Sequence, residues 1–481
     1  MSENNTLKQT LGLKNATMIV AGSMIGSGIF ILSSDMARSV GSAGYLLLLW
    51  IVTGIITVMA ALCYGELAGM MPKAGGQFIY IEKSFGKATA FVYGWTVFTV
   101  IQTGVIAAVA MAFANYSSIF FPSLNNSLLE FQNFKITYGQ CYAIGSIILL
   151  TLINTRGINS GKRIQDIFTW AKLIALFALI ILGIGMGFQT DVLANNFENP
   201  WQASSIDKTG IIKPLAGFAL LGAMGATIIS SLFSSDAWNN VTFIAGEIKD
   251  PKRNIPRSLL LGTLIVTCLY ILANIAYLSL LPLHGSPDGA TAITQGIQFA
   301  ANERVGAAAA SMIFGNTALY IMAALIMVST FGCNNGLILA GARVFYAMAC
   351  EGLFIKKAKQ LNNNSVPSNA LWMQCTWAGI LCLSGTYKDL VAYATFASVL
   401  FYIVTVAGLF VLRVKEPLTE RPYKVIGYPI LPALYIIVSV LICVILIIYD
   451  ARNTQFALLC VGLGIPVYYG MNYWKKKDVR I

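Results

Sequence analysis

Charge is scarce in this chain. Asp, Glu, Lys and Arg make up 11% of its 481 residues, where a soluble domain carries about a quarter. Such a polar coat is too thin for a globular surface, which excludes a soluble enzyme. A hydrophobic share of 57% and a mean hydropathy of +0.71 exclude a disordered chain. Histidine is nearly absent, with His284 alone. The nine cysteines are scattered, mostly inside apolar runs, without paired or metal-ligand spacing. That excludes a secreted disulfide scaffold and gives no support for a metal or any other cofactor. No cleavable signal pattern follows the polar start Met1–Thr10, and no segment is long enough for a soluble domain. The short alternating segments of outer-membrane barrels are missing too.

What is present is long apolar runs such as Tyr435–Tyr449. At roughly 20 residues for each crossing, the apolar residues suffice for about twelve spans. The sequence therefore predicts an all-α polytopic membrane protein with 12 transmembrane helices. They are expected at 14–40, 43–70, 88–121, 138–155, 163–188, 214–247, 257–281, 311–351, 368–386, 388–413, 429–450 and 454–474. The whole of 1–481 reads as one transmembrane domain. In the 282–310 connection, Ala300 to Ala310 reads as helical.

The net charge of +12 in a membrane chain reads as the positive-inside rule rather than as nucleic-acid binding. With an inside N-terminus, 24 of the 32 Lys and Arg fall in cytoplasmic segments and 7 outside, leaving Lys172 within a span. Both termini are thus expected in the cytoplasm.

Two spans break the rules of helix composition. The first contains Gly22-Ser23-Met24-Ile25-Gly26-Ser27-Gly28, and each glycine weakens a helix by roughly 1 kcal/mol relative to alanine. Packing through small residues spaces them four apart, which suits Gly22 and Gly26 but not Gly28 or the serines. The sixth contains Ser234-Ser235-Asp236-Ala237-Trp238-Asn239-Asn240, and a mid-membrane carboxylate costs roughly 2.5–3.5 kcal/mol on insertion scales. Spans one and six hold equivalent positions if the first ten spans form two five-helix halves, 14–188 and 214–413, followed by two additional helices at 429–474. Interrupted segments at matching positions of two halves point to a transporter site.

A break exposes backbone groups that must line a cavity or find partners. Free N–H groups and a positive dipole end at the second half of span one suit a carboxylate. Free carbonyls at the ends of the first half-helices suit an ammonium. An amino acid carries both.

Several stretches then resemble the amino acid–polyamine–organocation (APC) superfamily. Gly22–Phe30 is similar to its first-helix glycine motif, and Tyr64–Leu67 with Pro72–Gly76 to its second-helix ending. Gly246–Arg257 is similar to the loop between its sixth and seventh helices. Ala340–Arg343, Tyr346–Met348 and Gly352–Phe354 match the end of its eighth helix. The resemblance covers nearly the whole chain and points to the L-type amino acid transporters and their bacterial relatives, including serine/threonine exchangers. It implies the LeuT-type fold, a 5+5 inverted repeat with broken helices 1 and 6. It implies a substrate carboxylate on the backbone of Gly26, Ser27 and Gly28, and an ammonium on carbonyls near Ser23, Ile25, Phe233 and Ser235, with Phe233 covering the substrate. The chain departs from this branch at Ser235, where relatives carry an aromatic, and at Ala237, where they carry glycine. Animal members join an accessory glycoprotein through a cysteine between helices three and four. Pro122–Thr137 has none, so no disulfide-linked accessory subunit is expected.

Lys172 lies about nine residues past Arg163, roughly 13 Å deep at 1.5 Å per residue, too deep for easy snorkelling. The resemblance implies that its ammonium occupies the sodium place of related transporters, between helices one, five and eight. Asp236 reads either as an N-cap for the inner half of span six or as a group biasing the site toward a substrate amine or hydroxyl. Glu66 and Arg343 read as structural or gate residues. Gln102 and Thr103 either face the site or bond a neighbouring helix.

These readings converge on a transporter that moves small or medium neutral L-amino acids across a plasma or bacterial inner membrane by alternating access, as a sodium-independent exchanger. Proton-coupled uptake and a cationic amino acid or polyamine importer are the alternatives. An enzyme lacks convergent catalytic groups here, and an amino acid sensor lacks an output domain.

Overall fold

The computed structural model describes residues 9–131, 134–384 and 387–478. Almost all regular structure is helical. Among the described residues four short strands form two antiparallel hairpins in connecting segments, Ser127–Phe131 with Phe134–Thr137 and Ser204–Ile206 with Ile212–Pro214. Among the described residues nine helices are long and apolar enough to cross a membrane, and the bent pair Leu13–Met24 and Gly28–Val40 makes a tenth. The expected fourth and ninth spans are helices as well, Tyr138–Thr155 and Ser368–Ser384. These are short, at 18 and 17 residues, with polar residues at their ends. Length and composition alone thus support ten of the twelve expected crossings. The chain is an all-α, multi-pass membrane protein.

Boundaries moved where a backbone signal was overlooked. The eighth span begins at Ala318 rather than 311, because Gly315, at φ +66°, ends a separate helix at Val305–Phe314. The third span, Lys87–Ser117, contains a π turn at Val97–Ile101. Its displaced carbonyls find donors elsewhere: Thr103 Oγ1 donates to Phe98 O at 2.6 Å and Trp377 Nε1 to Thr99 O at 3.0 Å. Such turns recur at functional sites, and this one is followed directly by Gln102.

Lipid-facing and buried helices differ in composition for a physical reason. Spans eleven and twelve, Ile430–Tyr449 and Ala451–Asp478, expose Ile437, Leu441, Ile448, Leu459 and Leu463. Hydrocarbon makes that exposure harmless, since lipid tails are as apolar as leucine. Spans one, three, six, eight and ten instead bury Ser27, Gln102, Ser230, Asn335 and Thr405. Polar residues gather where helices meet, because only there can they be paired.

Both ends of the bundle are tied. At the end where the first helix begins, Leu11 is buried and bridges Ile248. The amides of Thr10 and Leu11 donate to Glu247 O at 2.9 and 3.0 Å. The Glu247 carboxylate pairs with Arg343 at 3.1 Å, both side chains buried. Glu66 receives Arg413 through two bonds of 2.9 and 2.6 Å and the Val425 amide at 2.7 Å. At the opposite end, Arg38 pairs with Glu303 at 2.6 Å and Asp35 at 3.2 Å. Glu66 and Arg343 thus hold helix ends together, as their positions suggested.

Candidate substrate site at two helix breaks

The first helix stops at Met24, Ile25 turns extended (φ −75°, ψ 92°), and a new helix begins at Gly28, bent by 41° from the first. Every carbonyl stranded from Gly22 to Gly26 is met by a side chain. Lys172 Nζ donates to Gly22 O at 2.5 Å and to Ile25 O at 2.7 Å. Cys333 Sγ donates to Ser23 O at 3.1 Å. Tyr270 OH reaches Met24 O at 3.0 Å. Ser329 Oγ lies 3.3 Å from Ile25 O and 3.4 Å from Gly26 O. The amides of Gly26, Ser27 and Gly28, by contrast, meet no acceptor among the described residues. They open the helix Gly28–Val40, so the positive end of its dipole adds to them.

The sixth helix runs Gly217–Ser234, breaks, and resumes as the short helix Asn240–Phe243 and a 3-10 turn at Ala245–Glu247. Ala237 within the break has φ +64°, a left-handed conformation costing a side chain roughly 1–2 kcal/mol. The Asp236 carboxylate does not cap the following turn. It accepts Tyr402 OH at 2.5 Å and Ser398 Oγ at 3.4 Å, both from span ten. The cap position of the short helix belongs to Asn239, which makes no side-chain capping bond.

The two breaks touch. Tyr270 OH, 3.0 Å from Met24 O, is also 3.0 Å from Ser234 O. A Cβ on Gly28 would lie 2.1 Å from Ser234 Oγ, whereas one on Gly26 would sit at an ordinary 3.4 Å from Cys333 Sγ. The need for glycine is therefore strongest at Gly28, and the neighbouring helix imposes it. Phe233 is buried with its ring edge-on to Tyr387, centroids 6.2 Å apart, and Tyr387 OH lies 3.2 Å from Ser27 Oγ. The ring pair thus borders the first break through Ser27.

Ser23, Ile25, Gly26, Ser27, Gly28, Phe233 and Lys172 thus come together. Ser235 lines a separate crevice with Thr57, Thr395 and Ser439, toward spans two, ten and eleven. Asp236 borders both that crevice and a polar cleft near span three. The carbonyl of Ile25, expected to hold an ammonium, is already engaged by Lys172 at 2.7 Å and by Ser329 Oγ at 3.3 Å. Gln102 Nε2 bonds Leu337 O at 2.8 Å while its side chain also lines the cleft. Tyr270, Ser329, Cys333, Tyr387 and Tyr402 were missed from sequence. Only their polarity within apolar spans could have flagged them.

Interrupted helices that meet in the middle of a multi-pass bundle, one offering free amides and a dipole end, define a membrane carrier. The chain belongs to the amino acid permease family, whose model matches residues 11–474. It is 31% identical to the mouse large neutral amino acids transporter small subunit 2, over 98% of this chain and 82% of that protein. It is 27% identical to the mouse Asc-type amino acid transporter 1, over 99% and 83%. Identity to the mouse b(0,+)-type amino acid transporter 1 is 28%, over 98% and 90%.

Proposed function

We propose that this protein exchanges small or medium neutral L-amino acids across a cell membrane by alternating access, without sodium. The observation that carries the reading is the set of unpartnered amides at Gly26, Ser27 and Gly28 beside the Phe233–Tyr387 ring pair. They form an anion-accepting end sized for a carboxylate, in a family of amino acid permeases. The substrate ammonium then turns to the carbonyl ends of the two first half-helices, near Ile25 and Phe233, where it would share acceptors with the donors already there. Neutral substrates are supported by the names of the related large neutral amino acids transporters. Two five-helix halves, 14–188 and 214–413, with their breaks at equivalent places, supply the moving parts. The excess of Lys and Arg in connections on one side puts both termini in the cytoplasm.

Lys172 supports sodium independence. Its ammonium holds two of the carbonyls that a cation at the break would need, so a fixed charge stands in for a bound ion. No disulfide-linked accessory subunit belongs to this reading. The printed name "small subunit" of the mouse relative concerns that protein. The cysteine nearest Pro122–Thr137 is Cys141, free and exposed in the first turn of span four.

Purified protein in liposomes tests the function. Preloaded neutral amino acid should drive uptake of labelled amino acid from the outside, equally in sodium and in choline. Uptake that stops in choline would overturn the role given to Lys172. Uptake into empty vesicles driven by a pH gradient alone would favour proton coupling over exchange.

A further inference from the structure

The two breaks are not enclosed equally on their two sides. Each of the clefts beside Asp236 holds only about 20 Å³, room for one water. Past Tyr387 lies a vestibule of about 350 Å³, the size of a ligand pocket. Ile31, Asn115, Asn302, Glu303 and Tyr387 are among its lining residues. It therefore sits at the end of the bundle where Arg38 pairs with Glu303. Tyr387 belongs to both places. Its ring lines the vestibule, its hydroxyl lies 3.2 Å from Ser27 Oγ at the first break, and Phe233 stands edge-on to it. Lys388, the next residue, pairs with Asp35 at 3.3 Å. Ser27, Ile31 and Asp35 fall at i, i+4 and i+8, which is one face of a helix. The start of span ten, Tyr387–Lys415, thus closes against one stripe of span one. The aromatic sits at the break and the ammonium about 12 Å further out at 1.5 Å per residue.

We infer that the vestibule is the chamber through which an amino acid reaches the amides of Gly26, Ser27 and Gly28, and that the Tyr387 ring is the gate between them. The inference rests on the transporter reading above and adds the route and the residue that shuts it. The ring has to leave Ser27 and Phe233 before a ligand can pass, and it does so when span ten parts from span one. The fastenings on this side suit a closure that opens. One is a single hydroxyl–hydroxyl bond. The other is an ion pair whose lysine is 79% exposed, and such pairs contribute little. The opposite end is held more firmly, by the buried Glu247–Arg343 pair and by two Arg413 bonds to the buried Glu66. Lys388 therefore helps to seat the gate, and Tyr387 forms it.

Thiol labelling tests the gate. In a full-length chain whose exposed cysteines Cys141, Cys268 and Cys350 are replaced by serine, Asn302→Cys marks the vestibule and Ser27→Cys lies behind Tyr387. A membrane-impermeant methanethiosulfonate is applied to intact and to inverted membrane vesicles. The side that labels Asn302→Cys is the side from which Ser27→Cys is then assayed. With Tyr387 in place Ser27→Cys should react slowly. Tyr387→Ala should speed that reaction on the order of tenfold, the upper value for losing an aromatic pair, with the Asn302→Cys rate unchanged. Tyr387→Phe keeps the ring and should restore most of the protection, and Lys388→Ala should matter less than Tyr387→Ala. If Tyr387→Ala does not reach the membrane, Tyr387→Leu takes its place. Equal Ser27→Cys rates with and without the ring overturn the gate. Labelling of Ser27→Cys only from the side opposite Asn302→Cys overturns it too, by putting the entrance at the other end. Absence of amino acid counterflow by the wild-type chain in liposomes would instead sink the transporter reading, and the labelling would still report whether Tyr387 shuts Ser27 off.

Discussion

The two helix breaks solve the same problem with opposite chemistry. At the first, the chain strands carbonyls, and cationic, hydroxyl and thiol donors arrive from spans five, seven and eight to meet them. Its amides stay free. At the sixth, the buried polar group is a carboxylate, and the donors come from span ten. Its conformation is held against local preference, with Ala237 in the left-handed region. One break therefore keeps free amides at a helix end, its carbonyls being held by a buried lysine and other donors. The other keeps its carboxylate on two hydroxyls. On the function proposed above, the first would take the carboxylate of a zwitterion.

The comparison can be broken first at Lys172. Lys172→Ala leaves Gly22 O and Ile25 O without their principal donor, at roughly 1–3 kcal/mol for each group. Counterflow should fall by at least an order of magnitude while the protein still inserts. Retained counterflow at matched expression would mean that the first break needs no cation.

Next in size is Gly28. A valine there should abolish binding and lower thermal stability, because its Cβ meets Ser234. Gly28→Val combined with Ser234→Gly separates the causes. Partial recovery of the melting temperature assigns the requirement to helix contact. Recovery of stability without recovery of binding assigns the remainder to the ligand. Gly26→Ala should be tolerated far better in the same melting assay.

A smaller loss is expected from Tyr270→Phe, which removes the one hydroxyl between Met24 O and Ser234 O. Stability should drop by about 0.5–1.5 kcal/mol, seen as a lower melting temperature, with slower exchange. An unchanged exchange rate would mean that the breaks move independently.

The smallest effect should be a gain. Ala237→Gly relieves a left-handed alanine worth roughly 1–2 kcal/mol, partly offset by the greater freedom of glycine in the unfolded chain. A melting temperature a few degrees higher is expected. A lower one would show that the alanine methyl contributes packing beyond its strain.

Much of this was legible without coordinates. Long apolar runs announced the spans. The Gly22–Gly28 cluster marked a break, and the first helix ends within it, at Met24. Lys172 stood out because an ammonium so deep requires a partner. Other features left no local trace. Nothing around Tyr387 indicates that its hydroxyl lies against Ser27, 360 residues earlier. Ser235 and Asp236 are adjacent in a polar run that reads as one unit, yet only Asp236 borders the cleft near span three. Asp236 resembled an N-cap, a local role, and instead serves a distant tyrosine. Local preference was overridden there because two hydroxyl donors from span ten reach the buried carboxylate, and a buried carboxylate without donors is costly.

Membrane class, the positions of the spans and the places where two helices must fail were determined by the sequence alone. Hydropathy and glycine content act residue by residue, and the bilayer enforces them everywhere. Which side chains repair those failures was decided only by tertiary structure. Hydrogen bonding needs atoms within about 3 Å, and the donors for one break come from three different helices. The same packing left the amides of Gly26, Ser27 and Gly28 free, and sequence could say that such groups would exist but not that nothing else in the protein would take them.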